Sequence, residues 1–156
     1  MGFSKQALKA ELVTVLEGTL TTLLAAHADA TEAATHDEAK PENDKDTRAL
    51  EQSYLARGQA IRIAMLKAGL AAVVGMSVEP SEVVRAGALV DAEDEDGKVV
   101  RYVLAPDGGG KTLTGGVQVV TPGSPLGAAL VGKRAGDDVE LVLAGKSRQL
   151  AVVRVS

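Results

Sequence analysis

Apolar residues recur every three or four positions from Ser4 to about Ala33: Leu8, Leu12, Val15 and Leu16, Thr19 and Leu20, Leu23 and Leu24. An α-helix returns side chains to one face at that interval and a strand does not. The opposite face carries Lys9, Glu11, Glu17 and Asp29. The pattern stops in THDEAKPENDKD, Thr35 to Asp46, and resumes with Leu50, Tyr54, Ile61, Met65 and Ala68, at gaps that suit a seam against another helix. Pro41 disfavours helix at Lys40 before it, and Asn43 or Asp44 can cap the second helix, with Asp46 and Glu51 near its positive end. Two helices joined by so short a link fold most simply as an antiparallel hairpin, each arm roughly 45 Å long at about 1.5 Å per residue. The arms either project from the rest of the chain or pack back on it as a bundle; periodicity leaves both open.

Beyond residue 76 the rhythm becomes that of strands. GALVDAEDEDGKVVRYVLAP holds two strand-like runs around Asp96-Gly97, a favoured hairpin turn, and GGVQVVTP reads as a further strand. SPLGAALVG reads as a short helix, with Ser124 as N-cap, Pro125 in the first position and Gly132 as the stop. DDVELVLAGKSRQLAVVRV closes as a hairpin through Ala144 to Ser147. The expected fold is therefore α+β. Residues 1–76 form a helical hairpin with an acidic tip, and residues 77–156 a small, mostly antiparallel sheet with one helix packed across it.

Composition removes several classes of function. Phe3, Tyr54 and Tyr102 are the only aromatic residues, so neither a ring-lined pocket nor a base-stacking surface is expected. Cysteine is absent, which excludes disulfides, thiolate nucleophiles and cysteine zinc sites. His27 and His36 are nine apart with no His-x-x-x-His or Glu-x-x-His pairing, so a histidine metal site or triad is not expected; His27 suits the seam or surface of the first helix. Acids exceed bases by two on each side of residue 76. A protein held to nucleic acid by counterion release carries a basic half or stripe instead. The N-terminus shows no signal peptide and no stretch has the length of a membrane span, so a cytoplasmic location is expected.

Two motifs have simple structural readings. APDGGGKT, Ala105 to Thr112, lacks the first glycine of a phosphate loop, and Leu113-Thr114-Gly115-Gly116 cannot open the required helix, so a mobile loop between strands is expected. DAEDEDG, Asp91 to Gly97, lacks the spacing of a calcium loop and suits a solvated hairpin tip. The bases Lys40, Lys45, Arg48, Arg57, Arg62 and Lys67 follow the acidic turn; most such side chains form a solvated face, and the functional alternative is a strip facing a phosphate backbone. The turn itself carries Asp37, Glu38, Glu42, Asp44 and Asp46. These are either charges that hydrate two helix ends or a partial oxygen-ligand set for a hard cation such as Mg²⁺, one that completes a site belonging to another molecule.

VQVVTPGSPLGAALVGKRAGDDVELVL, Val117 to Leu143, resembles the C-terminal domain of the bacterial transcript cleavage factors GreA and GreB. Ser124-Pro125-Leu126, Ala129-Leu130, Gly132-Lys133 and Gly136-Asp137 match the family pattern, and Glu42-Asn43 falls where the family has the Glu-Asn of its hairpin tip. The resemblance implies an FKBP-like C-terminal domain that docks on RNA polymerase, with Ser124, Pro125, Leu126, Lys133 and Asp137 as candidate partner-binding residues. It also implies a helical hairpin, a coiled coil, that enters the polymerase's secondary channel. Glu42, with Glu38 and Asp37, would then lend ligands to the polymerase's second Mg²⁺, and Arg48 and Arg57 would face the RNA 3′ end. The chain would be a monomeric cofactor of the polymerase's own hydrolysis of backtracked RNA, without a cofactor of its own. Prolyl isomerisation is not implied, because those catalytic pockets are walled by aromatics and Tyr102 stands alone in this domain. Two positions depart from the family: Ala39 stands where it places an Asp, and Asp46 where it usually has Tyr. They point to the alternative of a secondary-channel regulator or inhibitor that binds polymerase without stimulating cleavage.

Overall fold

The computed structural model describes residues 4–38 and 43–156, with side chains described for residues 4–32 and 50–156. Two long helices, α1 (Lys5–Glu38) and α2 (Asn43–Val74), precede the strands β1 (Leu89–Glu93), β2 (Val99–Leu104), β3 (Thr112–Leu113) and β4 (Val117–Val120). A short helix α3 (Pro125–Leu130) then leads to β5 (Asp138–Leu143) and β6 (Lys146–Val155). The chain forms two compact units, one of residues 14–70 and one of residues 1–13 with 71–156.

In the second of these units six strands form one sheet in the order β3-β4-β2-β1-β6-β5. All neighbours are antiparallel except β2 and β4, which run parallel with Tyr102 opposite Gln118 and Leu104 opposite Val120. The expected strands and helix are all present, and the two-residue β3 is an addition. Val90, Ala92, Tyr102, Leu104, Val120, Val139, Leu150 and Val152 are buried on one face, packed with Leu130 of α3. Their neighbours in register on the other face, Leu89, Val103, Val117 and Val119, are buried as well. A sheet covered on both sides needs two layers of apolar side chains, which explains why Val and Leu run through β2 and β4 with little alternation.

The start of α1 belongs to this unit, whereas the sequence boundary at residue 76 counts all of α1 with the hairpin. Ser4 caps the helix by accepting from the Ala7 amide, and Leu8 and Leu12 are buried. Lys5 Nζ donates to the Glu79 and Ser156 carbonyls, Lys9 Nζ to the Met76 carbonyl, and the Glu11 carboxylate accepts from the Thr114 amide. Burial lowers the Lys5 pKa, helped by nearby Arg85 and opposed by Glu79. These contacts tie α1 to the chain that follows α2 and to the end of β3.

The segment from Ala105 to Lys111, expected as a mobile loop, is tied down. Ala105 and Gly110 donate to the Val120 and Val119 carbonyls, and Val119 donates to Lys111. Gly108 has φ +91 and lies against Leu12, where an added Cβ would come within 2.6 Å of Leu Cδ1. Glycine is required here for both reasons. Lys111-Thr112 leads into β3 and not into a helix, so no phosphate-binding helix terminus forms. At the other acidic motif, Asp94 Oδ1 accepts from the Asp96 and Lys98 amides, Asp91 pairs with Arg101 at 2.7 Å, and Glu95 accepts from the Gln149 amide. The hairpin tip uses its acids as backbone acceptors.

Residues 14–70 form the antiparallel helical hairpin. On α1 the side chains of Leu16, Leu20, Leu23, His27 and Ala30 are buried or half-buried; on α2 those of Ala56, Gln59, Ile63, Leu66 and Leu70 are. Steps of three and four alternate in both sets, as a coiled-coil seam demands. This corrects the reading of α2, because Leu50, Tyr54, Ile61, Met65 and Ala68 are all exposed. Helix α2 carries apolar residues at helical spacing on two opposite faces. The buried face includes Ala56 and Gln59, so the larger side chains on the outer face look like the seam in sequence. His27 does lie in the seam, and its Nδ1 and Gln59 Oε1 are buried without a hydrogen-bond partner.

Candidate functional site

Helix α1 ends and helix α2 begins within the acidic segment. Asp37 and Glu38 are the last residues of α1, and α2 starts at Asn43, so Asp44 and Asp46 lie in its first turn. Glu42, and the side chains of Asp37, Glu38, Asp46, His36 and Arg48, lie outside the described residues. The backbone alone defines an electrostatic asymmetry. Acids in the first turn of α2 oppose a partial positive charge, whereas Asp37 and Glu38 end α1 where the helix is already partially negative. That end of α1 gains stability from any cation that approaches it. Among the described residues no group of three or more acids or histidines gathers as metal ligands.

Helix α1 has 34 residues and α2 has 32. At about 1.5 Å per residue, helices of these lengths rise roughly 50 Å. Two candidate residues of α2 fare differently. Arg57 is exposed, its guanidinium carbon 5.7 Å from the centroid of the Tyr54 ring, a cation–π contact on the outer face of the helix. Arg48 is described only as part of the α2 backbone.

The C-terminal motif performs local chemistry. Ser124 Oγ accepts from the Gly127 amide at 3.0 Å and donates to the Thr121 carbonyl at 2.7 Å, capping α3, while Pro125 fills the first turn. Gly127 is needed because a Cβ there would lie 1.8 Å from the Thr121 oxygen. Leu126 packs against the core, and Asp137 Oδ2 accepts from the Arg134 amide at 2.7 Å. The Lys133 carbonyl accepts from Val84, and its half-buried side chain stands beside the exposed Gly132 and Arg134. Ser124, Leu126 and Asp137 thus hold the fold, and Pro125, in the first turn of α3, is exposed. The outer stripe of α2 is the feature that sequence reasoning misplaced. Its signal was present in the spacing, but spacing does not say which of two apolar faces is covered.

Residues 79–156 match the family model described as the C-terminal domain of the transcription elongation factors GreA and GreB. The chain belongs to the GreA/GreB family. Solved structures similar to this GreA/GreB-family chain include GreA factor homolog 1 of Thermus thermophilus, 20% identical over 92% of this chain and 94% of that one, with a TM-score of 0.41. The Gfh1 protein of Thermus aquaticus is 21% identical over 91% and 92%, with a TM-score of 0.42. A GreA/GreB elongation factor from Nitrosomonas europaea is 24% identical over 49% of this chain and 63% of its own, with a TM-score of 0.39. No curated protein matches the chain. No described helix of this family member is long and apolar enough to cross a membrane.

Proposed function

We propose that this chain acts on RNA polymerase in the cytoplasm as a Gre-type elongation factor. The hairpin enters the secondary channel, and the acidic turn assists the polymerase in cleaving backtracked RNA. The observation that carries the reading is the pairing of a GreA/GreB C-terminal domain with two long helices that meet at a run of carboxylates. Glu42 is the chief ligand in this reading, with Glu38 and Asp37 assisting from the negative end of α1. These residues lend oxygen atoms and orient water, while the exposed Arg57 faces the RNA end. A Mg²⁺ ion held mainly by the polymerase would supply Lewis-acid stabilisation of the phosphate and a more acidic water. Hydrolysis belongs to the polymerase, and the C-terminal unit docks through the α3 region, with Pro125 and Lys133 as contacts.

The test is Glu42→Ala in a stalled-complex cleavage assay alongside a binding measurement. Loss of stimulated cleavage with binding retained supports the assignment, and unchanged cleavage with binding retained refutes it. Ala39 favours a second reading, because the family Asp at that position is missing and a ligand shifted by about 1 Å already loses activity. There the chain occupies the same channel and regulates or inhibits without promoting hydrolysis. Measuring elongation and cleavage together separates the two: slowed elongation without cleavage selects the regulator.

A further inference from the structure

The outer face of α2 carries a second apolar stripe that the hairpin does not use. Leu50, Tyr54, Ile61 and Met65 are exposed by 52, 57, 57 and 68%. At about 100° per residue they fall within a sector roughly 60° wide, on the side of α2 opposite its seam. An isolated exposed leucine is ordinary, but four large apolar side chains aligned on one helix face mark an interaction strip.

The order of the stripe says what fits it. Leu50 and Met65 are equally distant from the midpoint between Arg57 and Gly58, and so are Tyr54 and Ile61. We propose that this strip pairs two copies of the chain, α2 against α2 and antiparallel, about a two-fold axis at that midpoint. Leu50 then meets Met65 of the second copy and Tyr54 meets its Ile61, each contact occurring twice. Gly58 sits at the axis with open space where a Cβ would be, so the backbones can approach closely.

Charge supports a second copy as the occupant. Glu51 and Arg62 lie on the same flank of the stripe, and the two-fold axis brings each opposite the other, offset by about 3 Å along the helix. The other flank carries Ser53, Arg57, Ala60 and Ala64, so the two Arg57 residues are the one like-charged pair that the axis brings together there, against two Glu51–Arg62 pairs of opposite charge. The two Arg57 side chains flank the axis, and stacking over Tyr54 draws each guanidinium away from it. Four apolar residues per copy over some 22 Å of helix bury on the order of 1,000 Å² in total, the size of a weak, reversible interface. The paired form hides the outer face of α2. Resting on the function proposed above, it is a storage state that excludes entry of the hairpin into a narrow channel.

Sedimentation of the full chain from about 1 to 500 μM tests the pairing without polymerase, so its outcome is independent of whether the polymerase reading holds. A monomer–dimer midpoint on the order of 10–100 μM is expected. Ile61→Asp, at an exposed site where the helix tolerates a charge, should weaken pairing at least tenfold. Glu51→Arg and Arg62→Glu should each weaken it several-fold, and the double exchange should restore it to within about twofold. A dimer insensitive to Ile61→Asp overturns the proposal, as does a double exchange that fails to recover. A chain that stays monomeric throughout, with helicity retained, also overturns it and leaves the strip to a foreign helix.

Discussion

Leu12 and Gly108 form a contact whose energetics can be worked from the structure. Leu12 is 1% exposed, and truncation to Ala removes three carbons from water-free surroundings. At about 0.8 kcal/mol per buried methylene, with a cavity term added, Leu12→Ala should cost about 3 kcal/mol. Gly108→Ala carries two separate costs. A φ of +91 disfavours an L-residue by about 1 kcal/mol, and the new Cβ, 2.6 Å from Leu12 Cδ1, forces repacking worth about 1 kcal/mol more. In the double variant the clash is gone and the methyl partly fills the cavity, while the backbone cost stays. The two losses should therefore fall short of additivity by about 1 kcal/mol. Urea unfolding followed by circular dichroism measures the three variants, and exchange of the hydrogen-bonded Leu104 and Ala105 amides reports the same unit. Additivity within about 0.3 kcal/mol would show that the loop does not rest on α1 and would refute the packing argument.

Gly127→Ala should cost more than 3 kcal/mol or prevent folding of the C-terminal unit, because its Cβ would overlap the Thr121 carbonyl, a rigid backbone group; thermal melts check this. His27→Leu should stabilise the hairpin by about 1 kcal/mol, since it removes a buried nitrogen with no partner from an apolar seam. Helix melting at fixed pH measures it, and a destabilised variant would contradict the seam assignment. Burial raises the Tyr102 pKa, with Arg148 opposing and Asp94 adding to it. The folded state thus binds the phenolic proton more tightly than the unfolded chain. That stabilisation is complete below the ordinary tyrosine value of about 10 and is lost as pH rises above it through the raised folded value. Stability of Tyr102→Phe should fall less steeply than wild type above pH 10, and identical slopes would refute the burial argument.

The strands, α3 and the length of both long helices were legible in the sequence because each rests on local chemistry. Ser124-Pro125 opens a helix wherever it stands, and the acids around Asp94 make a turn without distant help. The break between the long helices was legible for the same reason, since α1 ends at Glu38 and α2 starts at Asn43. The seam of α2 was not. Ala56 and Gln59 are weak apolar signals beside Leu50, Tyr54 and Met65, yet they are the ones turned inward. Likewise GGG in residues 108–110 suggested mobility, because the reason for Gly108 is a leucine 96 positions earlier.

The sequence alone determined the elements and their order, through periodicity, caps and turn residues that act over a few positions. It also placed the carboxylates where two helices meet, since a break in a helical pattern locates its own ends. Tertiary structure decided which face of α2 is covered, and that the first turns of α1 join the unit that holds the sheet through Lys5, Lys9, Glu11 and Leu12. Burial depends on what lies opposite a residue, and neighbours along the chain do not supply that.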